Sequence, residues 1–231
     1  MRQRLVVEPL VVDRAHFIDV LTSRFPEIDR GSGWALDLSC GTQGMAGDTQ
    51  DQLEARGYSW VGVDVDLGRA SVLADSHSLP FADNSFDLVV SVAALEHMRR
   101  PWRAARELGR VARPASLFCG TVAFMEPEHS DSYFHMSHRG IESLPEGAGF
   151  EPIYTWPGWH VFEAIAWFNF VERAGRTPVL YRPAAWLARA TARVTHRLHD
   201  SRDGFGVRDR TEHSLDRLRF SPAIGLAARR I

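Results

Sequence analysis

Between residues 34 and 155, short apolar runs alternate with helix-like segments, and few folds accommodate that rhythm. Runs of strand length lie at Trp34–Leu38, Trp60–Val65, Phe86–Val92, Leu117–Phe124 and Phe150–Thr155. Helix signals fill the gaps. They occur at 48–56, with Asp48 as cap and Gly57 just beyond, at Pro101–Ala112, with proline in the first turn, and near 138–147. The alternation predicts an α/β fold: a doubly wound, mostly parallel sheet with helices on its faces. One link breaks the pattern. Only Asp66-Leu67-Gly68-Arg69 separates the second run from Ala70–Ala74, whereas a parallel crossover takes about a dozen residues or more. Either the crossover is pared to a loop, or the third strand is short and peripheral.

Two of the runs end on aspartates 27 positions apart, Ala35-Leu36-Asp37 and Val61-Gly62-Val63-Asp64. The first leads into a small-residue turn, Leu38-Ser39-Cys40-Gly41-Thr42-Gln43-Gly44. A tight turn after a strand lets backbone N–H groups approach a nucleotide, and the next strand delivers a carboxylate to a ribose. The plainer alternative is a pair of strand-end turn carboxylates, since Asp beside Gly is common in turns.

A chain of 231 residues suits a single domain, 1–231, with a full core. The N-terminus lacks the apolar core of a signal peptide, and no stretch approaches the ~20 apolar residues of a membrane span. The two cysteines, Cys40 and Cys119, lie in apolar settings. They read as reduced, and the protein as cytoplasmic. Every basic residue is arginine. Through residue 169 there are 14 arginines against 23 acids; beyond it, 13 against 6. The acidic body argues against a nucleic-acid partner. The basic remainder is a candidate for contact with a membrane surface or another anionic partner.

After Pro157 the character changes. Trp156, Trp159, Trp167 and Trp186 cluster within a short span, residues 159–173 and 183–199 have helical apolar spacing, and Arg189, Arg193 and Arg197 form a stripe. We expect residues 157–219 to be a helical, aromatic-rich insertion before a last strand near 220–228. It is a candidate for acceptor-site lid, homodimer face or ordinary core.

Four ordered blocks make residues 34–155 resemble the class I S-adenosylmethionine-dependent methyltransferases, small-molecule type 11 group. They are Leu36–Gly44, Val61–Asp64, Asp75-Ser76-His77-Ser78-Leu79-Pro80-Phe81-Ala82-Asp83-Asn84-Ser85-Phe86-Asp87, and Leu95-Glu96-His97 followed by Arg106–Val111. The resemblance implies a seven-stranded sheet whose last strand is antiparallel, and S-adenosylmethionine as cofactor. It implies that Gly41, with Asp37, Ser39 and Gln43 around it, lets the backbone approach the methionine part. Asp64 would accept from both ribose hydroxyls, Val65 would lie on the adenine face, Asp75 and Ser76 would bind the adenine edge, and Ser91 would border the sulfonium. Ser39 and Gln43 depart from the glycines usual in the first block, and Ser39 adds a β-carbon where glycine freedom is expected.

The implied activity is methyl transfer to a small-molecule acceptor, at oxygen, in bacterial secondary metabolism or glycan modification. The alternative is a cofactor-binding protein that transfers no methyl, either a rearrangement catalyst or a partner subunit. Chemistry is best sought in the polar loop 126–138, which follows the fifth run at the carboxyl edge of the sheet. His135 and His129 are the candidate bases, with Tyr133 as a positioning hydroxyl. The bland reading is a polar lid whose histidines meet solvent. A metal site from His129, His135 and His138 has only loop spacing in its favour, and no metal is expected. Glu96-His97 reads equally as a helix-start cap and as a wall of the acceptor pocket.

Overall fold

The computed structural model describes residues 18, 21–22, 25–29, 31–41, 46–66, 68, 70–126, 131–157, 186–187, 190 and 221–231. They form one sheet, β1 (Gly33–Leu38), β2 (Tyr58–Asp64), β3 (Val72–Leu73), β4 (Phe86–Val92), β5 (Ala112–Ala123), β6 (Phe150–Pro157) and β7 (Ala223–Arg230). The strand order is β3-β2-β1-β4-β5-β7-β6. β7 runs antiparallel between β5 and β6, and the other pairings are parallel. The helices are α1 (Pro26–Asp29), α2 (Ala46–Glu54), α3 (Pro101–Val111) and α4 (His138–Glu146). The doubly wound α/β sheet expected from the sequence is the fold observed. The helical insertion expected over 157–219 lies almost wholly outside the described residues.

Helices cover both faces because each central strand is apolar on both. On one face Leu36, Val89, Phe118 and Leu226 pack against Ala104, Leu108 and Val111 of α3 and Ile141 of α4. On the other, Ala35, Leu88, Val90 and Trp156 pack against Ile18, Leu21, Ile28 and Leu53. Buried parallel strands require near-continuous apolar sequence, and β4 supplies it in Leu88-Val89-Val90, none more than 1% exposed.

Several boundaries move for physical reasons. α2 starts at Ala46, so Asp48 is its third residue and not its cap. Its end is as expected: Gly57 follows with φ +91°, the left-handed conformation glycine tolerates. β5 begins at Ala112, straight out of α3, because Ala112 pairs with Phe86. β7 lies about three residues later than the run at 220–228 suggests, since Arg230 pairs with Phe150 and its guanidinium donates to the carbonyls of Gly109 and Gly149.

The short link after β2 resolves both alternatives at once. β3 has two residues, sits at the sheet edge and is reached by a loop. The segment from β3 to β4 is also a loop among the described residues, and it does the covering that a crossover helix does elsewhere. Leu79 is 4% exposed and Phe81 meets Phe86 edge-on at 5.0 Å. Arg110 of α3 holds this loop down. Its guanidinium donates to both Glu107 carboxylate oxygens, to Asp83 Oδ1, and to the carbonyls of Leu79 and Phe81. Glu107 in turn accepts from Leu79 N at 2.8 Å. Two of the sequence blocks are thus the two sides of one charged clasp.

The Arg110 bonds and the Leu79 N–H hold the Glu107 carboxyl below its ordinary 4.5. A lowered folded pKa adds stability above the unfolded value, and that stability is lost as pH falls through the folded one. Arg110→Met should cost about 2 kcal/mol in urea unfolding at neutral pH. The wild-type advantage should shrink as the pH drops below about 4.5. Equal stability of the two proteins at pH 7 would show that the clasp contributes nothing.

Candidate functional site

The strand order reverses between β1 and β4, and ligands in such sheets bind beyond the carboxyl ends at that switch point. A cleft of about 820 Å³ opens there. Asp37, Ser39, Gly41, Asp64, Val65, Asp75 and Ser76 line it from the β1, β2 and β3 side. Val92, Ala93, His97, Met98, Arg99 and Tyr133 line it from the β4 side and from the segment after β5.

Asp64 organises the first wall. Its Oδ1 accepts from Val65 N at 2.7 Å and Asp66 N at 3.2 Å, while Oδ2 accepts from Gly41 N at 2.9 Å. The carboxylate therefore straps the turn after β1 to the end of β2. Cys40 N donates to Val63 O at 3.1 Å and reinforces the strap. The turn needs left-handed backbone at two places: Ser39 has φ +56° and Gly41 φ +76°. At Gly41 a Cβ would meet no atom of the described residues within 4 Å, so the cleft is open at that point among them. Ser39 adopts the glycine-like conformation despite its β-carbon, and its hydroxyl lies 3.4 Å from that of Ser76.

Asp37 is 3% exposed at the base of this wall. Its strand neighbour Gly62 has no side chain, so the Trp60 indole lies across Gly62 and donates to Asp37 Oδ2 at 3.3 Å. Burial pushes the Asp37 carboxyl up to about 7; the indole N–H opposes the rise and the Asp64 charge adds to it. Asp75 behaves oppositely. The His77 backbone N–H and ring nitrogen hold its exposed carboxyl below the usual range, at 2.9 and 2.6 Å.

Glu96 organises the second wall. It is fully buried in the 3-10 turn Leu95–His97, and its Oε1 accepts from Ala123 N at 3.0 Å. Its backbone carbonyl accepts from Tyr133 N at 2.7 Å and Phe134 N at 3.1 Å. One residue ties the ends of β4 and β5 to the lid segment. Phe134 completes the docking edge-on against Trp102, centroids 5.9 Å apart.

The structure sorts the sequence-derived residues. Asp37, Ser39, Gly41, Asp64, Val65, Asp75 and Ser76 converge on the cleft, as does Tyr133. Gln43 and His129 lie outside the described residues. Two residues stand apart from the described cleft lining. Ser91 is fully buried and is not among the cleft-lining residues, whereas Val92 and Ala93, which follow it, are. His135 is exposed, bonded through Nε2 to Ser132 Oγ at 3.2 Å, and does not line the cleft. Of the Glu96-His97 pair, the acid faces inward as the lid anchor and the histidine lines the cleft. Among the described residues no three metal-type ligands cluster. Thr49, His77, Met98, Arg99, Arg100, Arg103 and Asp131 also line the cleft and escaped sequence reasoning. The Arg99-Arg100 pair just before the helix-opening Pro101 was the one signal on offer.

Residues 36–120 match the methyltransferase-domain family. An uncharacterized methyltransferase of Mycobacterium sp. (strain KMS) is 33% identical over 119 residues, 47% of this chain and 46% of that protein. The chain thus aligns with about half the length of this curated relative. Among solved structures, the fold is similar to a protein from Galdieria sulphuraria provisionally assigned as a sarcosine dimethylglycine methyltransferase. The TM-score is 0.61 at 13% identity, covering 99% of this chain and 93% of that one. It is also similar to the [4+2]-cyclase SpnF, with TM-score 0.56 at 19% identity over 92% and 80%.

The raised Asp37 pKa has two consequences. Folding takes up a proton between the unfolded value of 3.8 and about 7, so this group's contribution to stability declines as pH rises through that window. Affinity for a cationic ligand should instead climb as pH rises through about 7 and then level off. Trp60→Phe removes the donor that stabilises the charged carboxylate and should move both transitions to higher pH. A stability–pH curve identical for wild type, Trp60→Phe and Asp37→Asn would exclude this titration.

Proposed function

We propose that this chain, whose residues 36–120 match the methyltransferase-domain family, is a class I S-adenosylmethionine-dependent methyltransferase of the type 11 group that transfers a methyl group to oxygen of a small-molecule acceptor. The observation that carries the reading is the β1–β2 wall: a turn with a glycine open among the described residues, strapped through the Gly41 N–H to a strand-end carboxylate above a second, buried one.

The residues present fit the cofactor. Space beyond the Gly41 Cα admits a ligand where a side chain would obstruct it. Asp37, Asp64 and Asp75 give this wall the negative charge that a sulfonium and an ammonium require. Asp64 already accepts three backbone bonds. A carboxylate has about four lone-pair sites, so its outward face suits hydroxyl donors best in a bridging arrangement. Ser76 and the peptide after Asp75 present the edge that would meet a purine. When bound, the cofactor supplies an activated methyl group.

The chain's own contribution is positioning and exclusion of water. The lid tied down by Glu96 brings Tyr133 over the cleft. Arg99 Nε donates to the Tyr133 hydroxyl oxygen at 3.0 Å, which leaves that hydroxyl's proton free to donate to an acceptor. With His135 off the cleft, His97 takes over as the histidine placed to receive the acceptor's proton. The cytoplasm fits two buried, unbridged cysteines. Among the described residues no helix is long and apolar enough to cross a membrane.

A second reading, cofactor binding without methyl transfer, draws support from the similarity to SpnF, a [4+2]-cyclase with the same fold. Turnover with methyl-labelled cofactor separates the two, because label reaches an acceptor only under the first. Calorimetry with S-adenosylhomocysteine tests what they share. Wild type should bind it, and Asp64→Asn should weaken binding about tenfold or more, the worth of charge-assisted bonds. If wild type takes up no S-adenosylhomocysteine, both readings fall. If Asp64→Asn binds equally well, only the ribose assignment is lost.

A further inference from the structure

The described arginines fall into several groups: Arg230 bonds backbone carbonyls, and the exposed Arg106 of α3 makes no ion pair among the described residues. Arg56, Arg110, Arg113, Arg139 and Arg229 each pair with a carboxylate and serve the fold. Arg99, Arg100 and Arg103, which line the cleft, make no ion pair among the described residues. Arg103 donates Nε to the carbonyl of His77. The Arg99 guanidinium lies 5.4 Å from the centroid of the Tyr133 ring and bonds only the hydroxyl through Nε, so its two terminal nitrogens remain available. Arg100 has no side-chain bond at all among the described residues. Asp131 also lines the cleft and pairs with none of the three.

Their position sharpens the point. Arg100 is the N-cap of α3, with no side-chain cap bond and no acid in the first turn. A helix start carries partial positive charge and favours acids. Arginines at 99, 100 and 103 raise the positive potential there; the charges of Asp75 and Glu107 reach Arg103, but neither forms an ion pair with Arg99 or Arg100 among the described residues. Local rules broken without internal compensation mark functional sites.

We propose that the acceptor carries an oxyanion, carboxylate or phosphate, which Arg99 and Arg100 hold beside Tyr133 on the β4 side of the cleft. The inference rests on the methyl-transfer reading only in naming this ligand the acceptor. The guanidinium fork matches either oxyanion in bidentate fashion. The cleft is then divided by charge, with carboxylates for a cationic cofactor on the β1–β2 wall and arginines for an anionic acceptor on the other. The division orients the acceptor, because its anionic end is drawn to the arginines and away from Asp37 and Asp64.

The test titrates protein saturated with S-adenosylhomocysteine with inorganic phosphate and, separately, with benzoate, in low-salt calorimetry. Wild type should bind at least one saturably, and whichever binds distinguishes a phosphate from a carboxylate group. Arg99→Gln/Arg100→Gln should weaken that binding about tenfold or more, with S-adenosylhomocysteine affinity within about threefold of wild type as proof of folding. Arg106→Gln, an exposed arginine off the cleft, should change nothing. The proposal is overturned if neither anion binds, if the double variant matches wild type, or if Arg106→Gln weakens binding equally. Failure of wild type to bind S-adenosylhomocysteine is a separate result that removes the methyl-transfer reading. The same anion titration on free protein then still decides the arginine site.

Discussion

The cleft depends on one carboxylate bridging two strand ends. Asp64 belongs to β2, yet its bond to Gly41 N fixes the turn that follows β1. Without that strap the turn would have to hold left-handed backbone at Ser39 and Gly41 unaided, and a non-glycine residue there costs about 1 kcal/mol or more. The strap also sets Asp64 close enough to Asp37 to raise its pKa. Burial of Asp37, curvature of the turn and the charge of the wall are therefore linked. A change at any one of them is felt at the other two.

Much of this was legible in the sequence because it follows from backbone needs. Strands buried on both faces must be apolar throughout, so the central runs could be read directly, while their order in the sheet came from the structure. The strand-end acids and the open glycine followed from the same logic. Arg110 shows how a block that reads only as a family marker has a physical job: it pins a helix-less loop onto the core. What stayed illegible depended on a single residue of register. Ser91 and Val92 are adjacent, and which one faces the cleft is set by where β4 turns. His135 is two positions from Tyr133, and only the docking of the lid on Glu96 decides that the tyrosine turns inward. The arginine trio carried almost no sequence signal, since arginines before a helix are ordinary until their lack of partners is seen in space.

The two walls also differ in construction. The β1–β2 wall is backbone held by side chains, which suits recognition of a fixed group. The β4 wall is long side chains on a 3-10 turn, a helix start and a lid, where substitution alters the surface without disturbing the sheet. One fold can carry different chemistries through changes at such a side-chain wall.

The position of β7 carries a consequence for the order of assembly. β5 and β6 do not touch as neighbours; β6 pairs only with β7, which lies between it and β5 and is encoded 65 residues after β6 ends. The half-sheet of β1, β2, β3 and β4 can zip up from nearby segments during synthesis, while half the remaining ladder waits with open edges. Long-range pairing of this kind is slow to form and prone to capture by other chains. The pairings that join β1, β2, β3 and β4, whose carboxyl ends border the cleft, therefore require no residue of β7.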